Sequence, residues 1–252
     1  MTASSKAERL RVLHRAPPIL VLPNAWDVVS AVLFARRGFP AVATTSASVA
    51  WTLGYPDGEI IPRDEMLGMV ERIARAVAVP LTADLEAGYG DAGETARLAI
   101  EAGAAGLNLE DRLDPVDVHV ERVRAAREAG NLVINARTDV FLGGSGDIDE
   151  AVERSNAYLA AGADCTYPIG VAAPDVIAGL VERIEGPVSV LGRPGMPSVE
   201  ELERLGVARV SVGPLLARTA LAAADAAAAA LRETGRFEWA TTPEADPNDL
   251  LA

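Results

Sequence analysis

Lysine, cysteine and histidine, the side chains that most often supply nucleophiles, soft metal ligands and proton shuttles, are nearly missing from this chain. Lys6 and Cys165 each stand alone, and the histidines are His14 and His119. A single cysteine excludes intramolecular disulfides and cysteine-cluster metal sites, and it fits a reducing cytoplasm. With Lys6 close to the N-terminus, no lysine is left for Schiff-base chemistry or a phosphate-binding loop. Neither histidine adjoins a candidate nucleophile, which argues against a Ser-His-Asp hydrolase. Acidic residues outnumber basic ones, 36 against 23. The formal net charge of -13 would repel a phosphate backbone, so a small molecule is expected as partner and nucleic acid is not. No uncharged apolar run approaches the roughly 18 residues of a membrane span, and the first residues are too polar for a signal peptide.

What the chain does contain is apolar material in short pieces. Half of its residues are hydrophobic, ample for a core. Apolar runs at 19–22, 41–44, 81–84, 106–109, 132–136, 164–167, 188–191 and 209–212 alternate with helical patterns such as Met66, Met69, Val70, Ile73 and Val77, as repeated βα units require. Eight runs predict closure into a (β/α)8 barrel, a single domain over 1–252 with a flexible tail at 1–8 and a loose one at 237–252. An open doubly wound sheet gives the same alternation. It would gather its polar residues at one switch point, however, whereas here they follow many strands and no Gly-x-Gly-x-x-Gly follows the first.

Those polar residues carry the functional expectation. Asp84 and Glu86 close the third run and point the same way, since side chains alternate along a strand. Glu110 and Asp111 close the fourth and offer a third and fourth oxygen. Oxygen-only ligation fits magnesium, or manganese, rather than zinc. Arg137 follows the fifth run and could grip a carboxylate with two parallel hydrogen bonds; equally, it could pair with Asp139 or Glu110. Thr44, Thr45 and Ser46 could donate to an anion or be ordinary strand-end residues. Asp57 lies in Gly-Tyr-Pro-Asp-Gly-Glu, where turn chemistry accounts for it, and Asp27 reads as a helix cap. Trp26, Trp51 and Tyr89 could wall a pocket or pack the core. Cys165 reads as a small hydrophobe, and Arg193 as a surface residue or a pocket one.

Taken together, the stretches 22–27 (Leu-Pro-Asn-Ala-Trp-Asp), 43–47 (Ala-Thr-Thr-Ser-Ala), 53–58 (Leu-Gly-Tyr-Pro-Asp-Gly), 84–90, 108–111 (Asn-Leu-Glu-Asp) and 135–139 (Asn-Ala-Arg-Thr-Asp) resemble the isocitrate lyase and phosphoenolpyruvate mutase superfamily, in particular its smaller bacterial members. The resemblance spans nearly the whole chain. It implies an α/β barrel with magnesium near Asp84, Glu86 and Glu110, and a substrate carboxylate held by Thr45, Ser46, Ala47 and Arg137. It also gives Asp57 a supporting place beside metal and substrate, overriding the turn-only reading. The expected substrates are 2-oxo acids or their enol forms, handled through a metal-stabilised enolate, and the expected assembly is a homo-dimer or homo-tetramer that exchanges a C-terminal helix. Two departures bear on the reaction. Where isocitrate-type lyases carry a Lys-x-Cys-Gly-His loop, residues 111–119 read Asp-Arg-Leu-Asp-Pro-Val-Asp-Val-His; the mutase loop with its asparagine and lysine is unmatched too. Glu86 also stands where aspartate is usual. The expectation is therefore a lyase with oxaloacetate-type decarboxylation favoured, the alternatives being mutase chemistry, methylisocitrate-type cleavage, or a non-catalytic 2-oxo-acid binder.

Overall fold

The computed structural model describes residues 3–240 and 246–251. Helix α1 (Ala3–Leu13) precedes β1 (Leu20–Leu22) and the two-residue β2 (Asn24–Ala25). There follow α2 (Val28–Arg36), β3 (Val42–Thr44), α3 (Ser46–Thr52), α4 (Arg63–Ala76), β4 (Leu81–Asp84), α5 (Ala92–Glu101) and β5 (Gly106–Glu110). The second half runs α6 (Val116–Glu128), β6 (Val133–Thr138), α7 (Ile148–Ala160), β7 (Cys165–Pro168), α8 (Pro174–Arg183), β8 (Ser189–Leu191), α9 (Val199–Arg204), β9 (Arg209–Ser211), α10 (Leu215–Thr234) and α11 (Pro247–Leu251).

All eight expected runs are strands, and every strand pairing is parallel. Strands β2 to β7 pair in chain order, β8 and β1 flank β9, and a bridge from Thr166 to Val188 joins the two sheets. The ring is closed by the chain itself. Leu20–Leu22 pairs with β9 while Asn24–Ala25 pairs with β3, so one stave straddles both sheets and is split at Pro23, which has no backbone donor. Outward residues such as Leu81, Ala83, Leu107, Leu109, Ile134 and Ala136 form the main core with the surrounding helices, as the alternation of a barrel strand requires.

The tails depart from expectation. Residues 3–8 do not trail as a flexible tail; they belong to α1, whose Ala7 and Leu10 are fully buried and pack with Leu20, Leu22, Ala105 and Val133. Lys6 Nζ donates to Val77 O at 2.8 Å. The helix plugs the end of the barrel where the strands begin. At the other terminus residues 241–245 lie outside the described residues, but α11 seats Leu250 in the main core beside α2, so 237–252 is not loose throughout. The long α10 buries only Ala217 and leaves Leu221 and Leu231 exposed.

Inside the barrel a buried arginine sets the chemistry. Arg209 donates from Nη2 to Asn108 Oδ1 at 3.0 Å, Asn135 Nδ2 donates to the same oxygen at 2.8 Å, and Arg209 Nη1 lies 3.5 Å from His14 Nε2. Because His14 Nδ1 faces Leu10 O at 2.8 Å, the consistent tautomer is neutral, with Nδ1–H donating and Nε2 accepting. Burial and then the neighbouring Arg209 charge push the His14 pKa down to about 4. The folded value lies below the unfolded one, so the unfolded chain takes up the proton first. The stabilisation is complete above about pH 6.5 and lost as pH falls through 4, a swing of roughly 3 kcal/mol. His14→Gln is expected to flatten this acid limb in urea melts between pH 4 and 7.

Candidate active site

The loops after the strands fold tightly at the C-terminal end of the barrel. After β4, Glu86, Gly88, Tyr89 and Gly90 all have positive φ. Gly88 cannot be replaced without collision, because a Cβ there would meet Ala92 Cα at 2.9 Å. This irregular turn is braced by Glu59, whose Oε1 accepts from the backbone N–H groups of Ala87 at 3.1 Å and Tyr89 at 2.8 Å. Glu59 itself follows Gly58, and both have positive φ. Non-glycine residues so placed store strain that the surroundings must hold, a condition common at functional sites.

Asp84, at the end of β4, reaches across to the start of α3. Its Oδ2 accepts from Ser46 N at 3.1 Å and Ser46 Oγ at 3.0 Å, while its own N–H donates to Thr44 Oγ1 at 2.9 Å. Thr45 is the N-cap of α3 yet makes no side-chain cap bond; Asp84 supplies the acceptor instead. The Ser46 donors and the Asp84 carboxylate are thereby brought into direct contact. Ala47, buried in the first turn of α3, lies beside them.

Glu110 and Arg137 face each other in register on β5 and β6. Arg137 Nη1 lies 2.6 Å from Glu110 Oε2 and its Nε 2.6 Å from Asp139 Oδ1, so it pairs with both acids weighed from the sequence. Burial opposes its charge, but Glu110 and Asp139 outweigh burial and raise its pKa. Glu86 is 3% exposed, and its Oε1 is buried with no partner among the described residues. Burial first, then the charges of Asp84, Glu110 and Asp57 against a backbone bond from Glu59, push its pKa up to about 7. The Glu110 carboxyl is raised as well, chiefly by burial and by Asp84, against the pull of Arg137. Asp57 stays exposed at the rim, and partial burial followed by the Asp84 charge raises it.

Asp111 leaves this group. It is fully buried, with Oδ1 accepting from Leu113 N and Asp139 N and Oδ2 from Tyr158 Oη and Arg154 Nη1. It braces the outside of the barrel and offers no fourth ligand. Asp27 caps α2 through a reciprocal bond with Ser30. Arg193 donates to Gly170 O at 2.8 Å, tying the loops after β7 and β8. Cys165 is buried, and burial pushes its thiol up to about 12, so it packs as an inert small side chain.

Two residues of the site were not singled out by sequence reasoning, and the part played by a third was not foreseen. Glu59 was masked by its turn segment. Arg112, in the turn after β5, lies within 3.1 Å of Glu59 Oε2, 3.4 Å of Glu86 Oε2 and 3.1 Å of Glu110 Oε1. Asn24, in the 22–27 stretch that carries part of the resemblance, has a bracing role that its place in sequence does not suggest. It laces three strand ends, donating to Thr44 O at 2.7 Å and accepting from Val212 N and Gly213 N at 2.9 Å each. Asn24→Ala leaves a buried carbonyl and two half-buried N–H groups without this partner and is expected to cost about 2–4 kcal/mol in urea melts.

Whether these residues suit a divalent cation divides into two parts. The donor chemistry does: Asp84, Glu86 and Glu110 offer only hard oxygens, Glu86 Oε1 has no partner among the described residues, and a carboxyl raised by burial and then by its acidic neighbours marks a place short of positive charge. The present arrangement does not, for no group of three or more acids, histidines or cysteines is drawn together around a common point among the described residues. The positive charge at the cluster is supplied by Arg112 and Arg137.

A profile of the family described as phosphoenolpyruvate phosphomutase matches residues 10–232. A crystal structure from Burkholderia cenocepacia J2315 is 41% identical and superimposes with a TM-score of 0.89, covering 98% of this chain and 95% of that one. The 2-methylisocitrate lyase of Bacillus subtilis (strain 168) is 31% identical over 221 residues, 79% of this chain and 73% of its own length. Oxaloacetate acetylhydrolase, solved with the inhibitor 3,3-difluorooxalacetate, is 27% identical with a TM-score of 0.87, covering 98% and 92%.

Proposed function

Because the chain belongs to the phosphoenolpyruvate mutase and isocitrate lyase superfamily, we propose that it is a magnesium-dependent carbon–carbon lyase of small 2-oxo dicarboxylic acids, with oxaloacetate-type decarboxylation favoured. The observation that carries the reading is the contact set at the strand ends, where Arg137 and the Ser46 donors meet Asp84 and Glu110. Arg137 turns its fork from Glu110 and Asp139 toward the substrate carboxylate. Ser46 N–H and Oγ, with the backbone of Thr45 and Ala47 at the start of α3, hold the carboxylate's second edge. Asp84, Glu86 and Glu110 hold the cation, manganese being the other metal such oxygens accept, and Asp57 supports the rim. A bound divalent ion supplies the positive charge that draws electrons toward the 2-oxo oxygen as the adjacent bond breaks.

The choice of reaction follows from what the chain can protonate. In decarboxylation the bond to the distal carboxyl breaks, carbon dioxide leaves, its electron pair passes into the enolate, and one proton from water completes the product. No acid on a mobile loop is needed. That suits a chain in which residues 111–114 form a tight turn and α6 begins at Val116, with neither lysine nor cysteine between. The same short segment favours one other reading, a 2-oxo-acid binder without turnover. Assays of oxaloacetate, methylisocitrate, phosphonopyruvate and phosphoenolpyruvate with and without magnesium decide: magnesium-dependent consumption of oxaloacetate is the expected result, and no turnover of any of the four would leave the binder.

The assembly belongs to the same reading. With Leu221 59% and Phe237 70% exposed, α10 and the segment after it present an apolar face suited to a second copy, and exchange of this helix in a cytoplasmic homo-dimer or homo-tetramer would cover it. Among the described residues no helix is long and apolar enough to cross a membrane.

A further inference from the structure

Arg112 is the residue that the proposed chemistry leaves without a task. It sits in the turn after β5, where Arg112 and Leu113 have successive positive φ values of 54° and 60°. Neither is glycine, and left-handed backbone is strained for an ordinary residue. The turn is fastened from the buried side, with Leu113 N donating to Asp111 Oδ1 at 3.0 Å and Asp114 N to Asp111 O at 2.9 Å. Its effect is to direct the guanidinium back over the strand ends. There it meets the oxygens of Glu59, Glu86 and Glu110, two of them the proposed holders of the cation and the third the brace of the Glu86 loop.

We infer that Arg112 is a tethered internal cation that competes with the divalent metal: its guanidinium holds Glu86 and Glu110 when no metal is bound and must withdraw before both can ligate one. The inference rests on the reading of Asp84, Glu86 and Glu110 as the metal-holding set. It accounts for a guanidinium standing among the same oxygens that the reading assigns to the cation. Withdrawal is physically open to the side chain, which is 38% exposed and, among the described residues, held through its ion pairs. Charge also makes the competition effective, since a guanidinium and a divalent ion beside the same two carboxylates repel each other.

The test is calorimetric and electron-paramagnetic titration of the full chain with manganese, without substrate. Arg112→Gln, which removes the charge and keeps a polar side chain, is expected to bind manganese about tenfold more tightly than the parent, the scale of one lost charge repulsion. Arg112→Lys should fall between. Arg97→Gln removes an equal charge from the surface pair with Glu94 and Glu101 and should match the parent, separating local competition from net charge. If the parent binds manganese and Arg112→Gln binds it equally or more weakly, the inference is overturned while the metal reading stands. If neither binds manganese, the metal reading itself fails and the inference falls with it.

Discussion

Arg137→Ala is expected to lower kcat/KM on a 2-oxo dicarboxylate by about a thousandfold, the consequence of losing a forked, largely desolvated carboxylate contact. A second cost accompanies it. Arg137 neutralises Glu110 and Asp139 at 2.6 Å each, and removing one partner of a mostly buried pair leaves charge uncompensated, about 3 kcal/mol or more of stability. Arg137→Lys separates the two effects: it keeps a positive charge between the acids, so most of the stability should return, but a single ammonium cannot reproduce the fork. Full activity in the lysine variant would show that Arg137 is only an ion-pair partner. The expected readout is a steady-state profile beside a urea melt, with melts recovering and kcat/KM staying low.

Asp84→Asn carries the second large effect. Asparagine can still accept from Ser46, so the start of α3 should hold its place, but the charge is gone and manganese affinity should drop about a hundredfold or more by calorimetry. Asp84→Ala should lose the metal equally and also strand Ser46 N–H and Oγ, both of which donate to Asp84 Oδ2, lowering stability by about 1–3 kcal/mol. A difference between the two variants in stability, without a difference in metal affinity, is the pattern expected if Asp84 both caps α3 and ligates. Unchanged manganese affinity in Asp84→Asn would remove it from the cation site.

The barrel was legible because strands buried on both faces read as apolar runs, and each of the eight emerged as a strand at or next to the expected bounds. The helical pattern around His14 was legible too, but its reach back to residue 3 was not: Ala7, Leu10 and His14 recur at helical spacing and all three are buried, while the polar residues between them read as a tail. For Asp111 the alternation used for Asp84 and Glu86 already held the answer, since Glu110 and Asp111 are neighbours and must face opposite sides. Glu59 and Arg112 were not recoverable this way. Both point at the site only because the backbone adopts positive φ at non-glycine residues, which nothing in residue type announces. Asn24 joins Thr44 with Val212 and Gly213, partners as far as 189 residues away, and only closure of the barrel brings them together.

If Asp84, Glu86 and Glu110 hold a cation and Arg137 the substrate carboxylate, the two together would grip adjacent oxygens of a 2-oxo acid. Oxalate, planar and unreactive, presents such a pair of oxygens without the bond that breaks. Calorimetric titration of oxalate into the manganese-loaded protein should give stoichiometric binding that disappears after chelation and weakens strongly in Arg137→Ala. Equal oxalate binding with and without manganese, or none with manganese present, would contradict it.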